Sequence, residues 1–201
     1  ELAEAERIDR DLHLLPQLWA SYYATTGDLE RAVASAEEAV RRNGDIQTRL
    51  LAARMRSIAD VGAYSAFPWT SAFEVLHAVQ MFPGPYRLQD YAFSATSVAT
   101  NKSTLSVYRG VGAPIGTFAM ERLLDLAAIE LEMDPVEIRR RNLIRKDEFP
   151  YTSVTGMDYE IGSYVECLEK AAGMDGYDAF RAEQVALRKR GIYRGIGISC
   201  Y

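Results

Sequence analysis

Phe82-Pro-Gly-Pro-Tyr86 sets two prolines around a glycine, so no regular element can run through this part of the chain. Proline lacks a backbone donor and fixes φ, and it pushes the preceding residue out of the helical region. The fold must therefore be assembled from separate pieces on either side. Before the break, the chain from Leu50 to Tyr64 turns into the alternating stretch RMRSIADVGAYSAF, residues 54–67, which predicts a strand, and Ala72–Val79 predicts a short helix. After it, Tyr91–Thr100 alternates again as a strand and Asn101–Thr104 is a loop. Pro114 suits a helix's first turn, and Ile115, Ala119, Leu123 and Leu126 follow at helical spacing, with Glu121, Arg122 and Asp125 on the other side. That pattern predicts an amphipathic helix of about 18 residues packed on its apolar stripe.

Asp134-Pro-Val-Glu137 opens a second helix with a capping residue, a proline at the first position and a glutamate at the third, as in a capping box. Residues 145–162 are loop with a short extended piece. Ser163 stands before a helix over Tyr164–Ala172, and Tyr177–Lys189 is a further polar helix ended by Gly191. The closing YRGIGISCY, residues 193–201, alternates Ile196, Ile198 and Cys200 with small residues; it predicts a strand entering a sheet, within a domain expected to be larger than this chain. Residues 1–53 read as a separate helical segment. In GDLERAVASAEEAVRRNG, Leu29, Ala32, Val33, Ala36 and Val40 share a face, Asp28 is a capping residue and Gly44 follows the end. The wider run LWASYYATTGDLERAVASAEEAV has the small-and-aromatic spacing of a tetratricopeptide-type hairpin, but no second copy follows, so a repeat array is not expected. Strands and helices are therefore both expected.

Composition narrows the function. The formal net charge of −5 lacks the basic excess with which a protein displaces phosphate counterions, so nucleic acid is not an expected partner. No run approaches the ~18 apolar residues of a membrane span, and ELAEAERIDRD is too acidic for a secretory signal. Two cysteines, Cys167 and Cys200, cannot hold an iron–sulfur cluster or a structural zinc; the alternatives are a disulfide or, as expected here, two buried or unpaired thiols suited to the cytoplasm. His13 and His77 lack partners at ligand spacing, so no metal site built from side chains is expected. Two histidines in such settings build no nucleophile triad. None of the 28 carboxylates stands out as an acid or base, and Arg139–Arg141, on successive helical positions, reads as a solvated surface.

The chemistry candidate is SVYRGVGAPIGTF, residues 106–118. Its glycines, Gly110, Gly112 and Gly116, fit neither the dinucleotide fingerprint nor a Walker loop. Two readings stand. Gly110 and Gly112 leave a loop open before a helix whose free amides and positive dipole end, with Arg109, suit an anion. Alternatively, the glycines only supply positive φ in a tight turn and Arg109 is a surface residue.

The order of segments goes further. FPGPY, TNKSTLSVYRGVGAP, MERLLDLAAIELEMDPVEIRRRNLI and FPYTSVTGMDYEIGSYVECLEKA, with ADVGAYSAF before and RGIGISCY after, resemble the molybdopterin-binding large subunit of the xanthine dehydrogenase and aldehyde oxidase family, which includes carbon monoxide dehydrogenase-like large subunits. The resemblance runs from about Arg54 to Tyr201. It implies an α+β fold, part of the family's molybdenum-cofactor-binding domain with mixed strands and packed helices, over residues 54–201, and it allows residues 1–53 to be a truncated piece of the same domain through GDLERAVASAEEAV. It implies a molybdenum–molybdopterin cofactor, in bacteria often the cytosine dinucleotide form, and hydroxylation of an aldehyde or N-heterocycle with oxygen from water. Electrons would leave through iron–sulfur and FAD groups on partner subunits.

Residue by residue, the resemblance makes Arg109 the catalytic arginine beside the molybdenum ligands, with Gly110 and Gly112 in the cofactor-binding loop. Val111 falls where xanthine-oxidising members place a phenylalanine against the substrate. Gly110 replaces the copper-binding cysteine of true carbon monoxide dehydrogenases, which argues against carbon monoxide as substrate. Ser65 lies about where purine-oxidising members carry an arginine, so purine is not favoured. The family's glycine-rich pterin segment is not found before Arg54, and its glutamate base falls beyond Tyr201. On that reading the chain is a partial domain, inactive alone; the alternative is a non-catalytic remnant or a helical interaction module fused to an incomplete domain.

Overall fold

The computed structural model describes residues 49–64, 72–174 and 176–201. The readings on residues 1–48, including the helix after Asp28, and on Ser65 lie outside the described residues.

The elements run in the order the breakers demand. Strand β1 (Ala52–Gly62) is followed by helix α1 (Phe73–Met81) and strand β2 (Asp90–Ala99). Helices α2 (Ala113–Glu130) and α3 (Pro135–Asn142) come next, then a single 3₁₀ turn at Lys146–Glu148. A minimal hairpin of β3 (Tyr151–Thr152) and β4 (Asp158–Tyr159) precedes helices α4 (Tyr164–Met174) and α5 (Tyr177–Arg188). The expected α+β class is what the chain adopts.

β1 and β2 pair in parallel, from Ala52 opposite Asp90 to Gly62 opposite Ala99. A parallel pair needs a crossover, and α1 supplies it. Val75, Ala78 and Val79 of α1 are buried; Tyr91 donates its hydroxyl to the Val79 carbonyl at 2.8 Å, and Phe82 stacks on the Tyr91 ring at 5.4 Å. The Phe82–Tyr86 break turns the chain out of α1 and onto the end of α3. Ile144 N–H donates to the Pro85 carbonyl, and Arg87 N–H to that of Asn142. Asn142 is itself buried, accepting from Leu50 N–H at 2.7 Å, so the start of β1 is tied to α3. The division drawn after residue 53 falls inside β1.

The α3 start is as read, in part. Asp134 accepts from Val136 and Glu137 N–H groups with Pro135 behind it, but the Glu137 side chain pairs with Arg140 and Arg141 instead of closing the box. Two other expectations are overturned. Residues 193–201 form no strand: no ladder partner lies beside them among the described residues. Side chains take up their carbonyls instead, Gln184 bonding that of Arg194 and Arg139 that of Ile198.

Helix α2 spans the residues expected, but its buried face is the other one. Ala113, Gly116, Met120, Glu121, Leu124 and Ala128 face inward, while Ile115, Leu123 and Leu126 are about half exposed. The helix has two apolar stripes, and shape decides between them. The one with small residues at its start can approach α1 closely, burying Met120 and Leu124 at roughly 1.5–3 kcal/mol each. Glu121 can follow them inward only because it finds partners there.

Candidate functional site

The loop entering α2 is anchored from behind. Segment 100–105 folds back over the end of β1: Thr100 N–H donates to the Gly62 carbonyl, Ala63 N–H to that of Lys102, and Leu105 N–H to that of Val61. Gly62, at φ 80°, is required here, because a Cβ would strike the Ser103 carbonyl. Asp60 closes the junction by accepting from the Thr100 hydroxyl at 2.6 Å and pairing with Lys102 at 3.0 Å; the two hold its carboxyl below the usual range.

From that anchor the chain makes two overlapping turns. Val111 N–H donates to the Tyr108 carbonyl at 2.7 Å, and Ala113 N–H to that of Gly110 at 2.9 Å. Gly110 has φ 94° and Val111 φ 49°. A β-branched residue with positive φ is an outlier, and such strain costs on the order of 1–3 kcal/mol. Gly112 and Gly116 serve a different purpose. A Cβ on Gly112 would collide with backbone atoms of Glu74 and Ala78, and one on Gly116 would stand 2.6 Å from the Ala78 carbonyl oxygen. They form the notch in which α2 crosses α1.

The two readings of the glycines therefore divide by position. Gly110 supplies positive φ and Gly112 supplies close approach. The amides of Val111 and Ala113 are spent within the turns rather than directed at an anion. What stays open is Arg109. It is exposed, next to the 85% exposed Tyr108, and makes no hydrogen bond or ion pair with another described residue. The first turn of α2 carries no acidic residue, so its positive end is uncompensated within the helix. Arg109, Gly110, Val111 and Gly112 are contiguous in this loop; Ser65 is outside the described residues.

A second constellation was not legible in the sequence. Arg139, expected on a solvated surface, is 0% exposed, whereas Arg140 and Arg141 of the same run are partly exposed and pair with Glu137. Arg139 bonds Glu121 Oε2 at 2.8 Å, Asp125 Oδ1 at 2.9 Å, and the carbonyls of Pro135, Glu121 and Ile198. Tyr86 donates its hydroxyl to Glu121 Oε1 at 2.5 Å. Burial, helped by Cys200 and Glu121, raises the Tyr86 pKa. Burial alone would lower that of Arg139, but the Glu121 carboxylate reverses the sign and the guanidinium stays charged. The only advance sign was Glu121 and Asp125 four apart on one helical face, which does not identify a partner.

Cys167 and Cys200 are free thiols, and both line a cavity of about 480 Å³ between α4 and residues 196–201; residues 109–112 do not line it. No helix among the described residues is long and apolar enough to cross a membrane.

Comparison with known proteins carries the loop to a family. The molybdopterin cofactor-binding domain matches residues 23–143, which include both turns, the glycine notch and Arg139. The chain is 38% identical to the nicotine 6-hydroxylase large subunit of Paenarthrobacter nicotinovorans over 76% of its length and 19% of the relative's. It is 35% identical to the carbon monoxide dehydrogenase large chain of Hydrogenophaga pseudoflava over 70% of its length and 18% of the relative's. In three dimensions it superposes on quinoline 2-oxidoreductase from Pseudomonas putida 86 with a TM-score of 0.68 and 38% identity, covering 74% of this chain and 19% of that one. The chain thus spans about a fifth of the length of these relatives. By sequence match and by fold alike, it belongs to the molybdopterin cofactor-binding domain family found in the large subunits of xanthine dehydrogenase, carbon monoxide dehydrogenase and aldehyde oxidoreductase type.

Proposed function

We propose that this chain acts within a molybdenum hydroxylase large subunit that oxidises an aldehyde or an N-heterocycle, working beside an iron–sulfur subunit and an FAD subunit in the cytoplasm. The observation that carries the reading is Arg109, whose guanidinium is unpaired among the described residues, on a strained double turn at the start of α2, a helix with no acidic residue in its first turn. Its forked donors fit an oxygen-rich anionic cofactor such as molybdopterin, in the cytosine dinucleotide form. When bound, that group supplies the two-electron oxidation of a carbon centre.

The chain's own residues hold and orient. Arg109 offers its donors to the cofactor's oxygen ligands, and Gly110 keeps the backbone beside it free of a side chain. Gly112 supports the loop from beneath by seating α2 on α1. Val111 gives the substrate pocket an aliphatic wall, and a serine at position 65, about where purine-oxidising members carry an arginine, does not favour purine. Gly110 offers no thiolate for copper, so carbon monoxide is not the favoured substrate. The family match beginning at residue 23 supports reading residues 23–53, within the helical segment 1–53, as a piece of the same domain.

The test is Arg109→Ala in the complex assembled with its partner subunits and cofactor. Turnover of quinoline or an aromatic aldehyde should fall on the order of 100-fold, as for loss of one preorganised charge donor, with the subunits still associated. Wild-type rates would remove Arg109 from the site.

A further inference from the structure

We propose that Glu121, with Arg139 and Tyr86, is a positioning cluster that sets where the Arg109–Val111 loop stands, rather than a mere stabiliser of the core; this rests on reading that loop as the cofactor face. Helix α2 carries the loop at its head and is gripped twice on its buried side. The first grip is the Gly112–Gly116 notch against α1. The second is Glu121, nine positions beyond Gly112 and thus about 13 Å along the axis. Both carboxylate oxygens of Glu121 are held, Oε2 by Arg139 and Oε1 by Tyr86, and its main-chain carbonyl is held by Arg139 as well. Two grips on one face fix both the height and the rotation of a helix.

Arg139 is suited to reference α2 to the rest of the fold. It is fully buried, and it also bonds the Pro135 carbonyl in α3 and the Ile198 carbonyl in the closing segment. Tyr86 brings in the Phe82–Tyr86 break. Four chain segments therefore meet around one ion pair, three of them at the Glu121 carboxylate and the closing segment at the Arg139 guanidinium. A buried ion pair of this kind is weak evidence for stability, since apolar residues of similar volume often replace one without loss. What apolar residues lack is direction. A guanidinium whose donors go to separate acceptors, and a carboxylate with each oxygen held by a different donor, specify angle and distance, and a loop ahead of such a helix inherits that register.

The experiment uses the cofactor-loaded complex with quinoline as substrate. Glu121→Gln should keep its molybdenum and its KM, while kcat falls about 10–100-fold, as for a site misplaced by a fraction of an ångström, and the Mo(V) electron paramagnetic resonance spectrum becomes heterogeneous. Tyr86→Phe, which keeps the ring and loses one donor, should shift the same two readouts in the same direction. The triple replacement Tyr86→Phe/Glu121→Met/Arg139→Met should recover thermal stability over Glu121→Gln without recovering kcat or the spectrum. Glu137→Gln, in the partly exposed pairs with Arg140 and Arg141 on α3, should change neither. Wild-type kcat and spectrum in the triple variant, or in Tyr86→Phe, would reduce the cluster to a structural element and overturn the proposal. A wild-type complex that lacks molybdenum, or gives no Mo(V) signal on reduction, would instead remove the cofactor reading on which it stands.

Discussion

Gly112 is seated against Ala78 so closely that a Cβ on it would collide with the Ala78 amide nitrogen, and with the Glu74 carbonyl oxygen beside it. The opposing atoms are backbone in a helix, so no rotamer change relieves the clash. Gly112→Ala should therefore lower stability by about 1–3 kcal/mol, the usual effect of forcing atoms into a filled contact. Gly173→Ala is the control: it lies in α4 with nothing within 4 Å of a new Cβ, and should be neutral or slightly stabilising. Denaturant midpoints of the two variants decide; equal midpoints would mean that α2 and α1 can separate without loss.

Val111 is a test of stored strain. At φ 49° it occupies a conformation that glycine reaches freely, so Val111→Gly should raise unfolding stability by roughly 1 kcal/mol despite losing a side chain. Val111→Ala removes nearly as many atoms and keeps a Cβ, so it should gain less. A lower midpoint in Val111→Gly would show that valine is at home in this turn.

Asp134 holds α3 at its first turn and reaches α5 as well. It accepts from the Val136 and Glu137 amides and from the Tyr177 hydroxyl at 2.9 Å. Asp134→Ala should cost about 1–2 kcal/mol, the upper half of the range for an N-cap. Asp134→Asn keeps an accepting oxygen and should recover most of it. Thermal unfolding of both variants measures this, and an alanine variant as stable as wild type would show that Pro135 alone starts the helix.

Burial of tyrosines, Tyr177 and Tyr86 among them, makes the fold sensitive to alkali. Burial, then the bond to Asp134, pushes the Tyr177 pKa up to about 12, and burial first of all raises that of Tyr86. Unfolded tyrosine titrates near 10. Because the folded values are the higher ones, this contribution is fully present below about pH 10 and is lost as pH rises towards 12. Denaturant midpoints taken between pH 8 and 11.5 should fall above pH 10, less steeply in Tyr177→Phe. A slope unchanged by that substitution would contradict the assignment.

Much of the architecture was legible locally. The proline–glycine break, the alternation in β1 and β2, Pro114 and the Asp134-Pro135 start each act through a residue's own backbone chemistry or its near neighbours, and each stands about where it was read. The site was legible only in outline, because SVYRGVGAPIGTF identifies a turn before a helix without assigning the glycines their separate tasks.

Tertiary structure decided the rest. The 3.6-residue period showed that α2 has an apolar stripe at Ile115, Leu123 and Leu126, yet those side chains are about half exposed and Glu121 is buried. Periodicity records which residues share a face; the shape of the opposing surface and the presence of a counter-charge determine which face turns inward. In the same way Arg139 is indistinguishable from Arg140 and Arg141 along the chain, and becomes the one arginine of the three at the centre of the fold only where Glu121, Asp125 and Ile198 converge on it. A long-range charge pair has no sequence period, so its partners become known only when the segments that carry them are packed together.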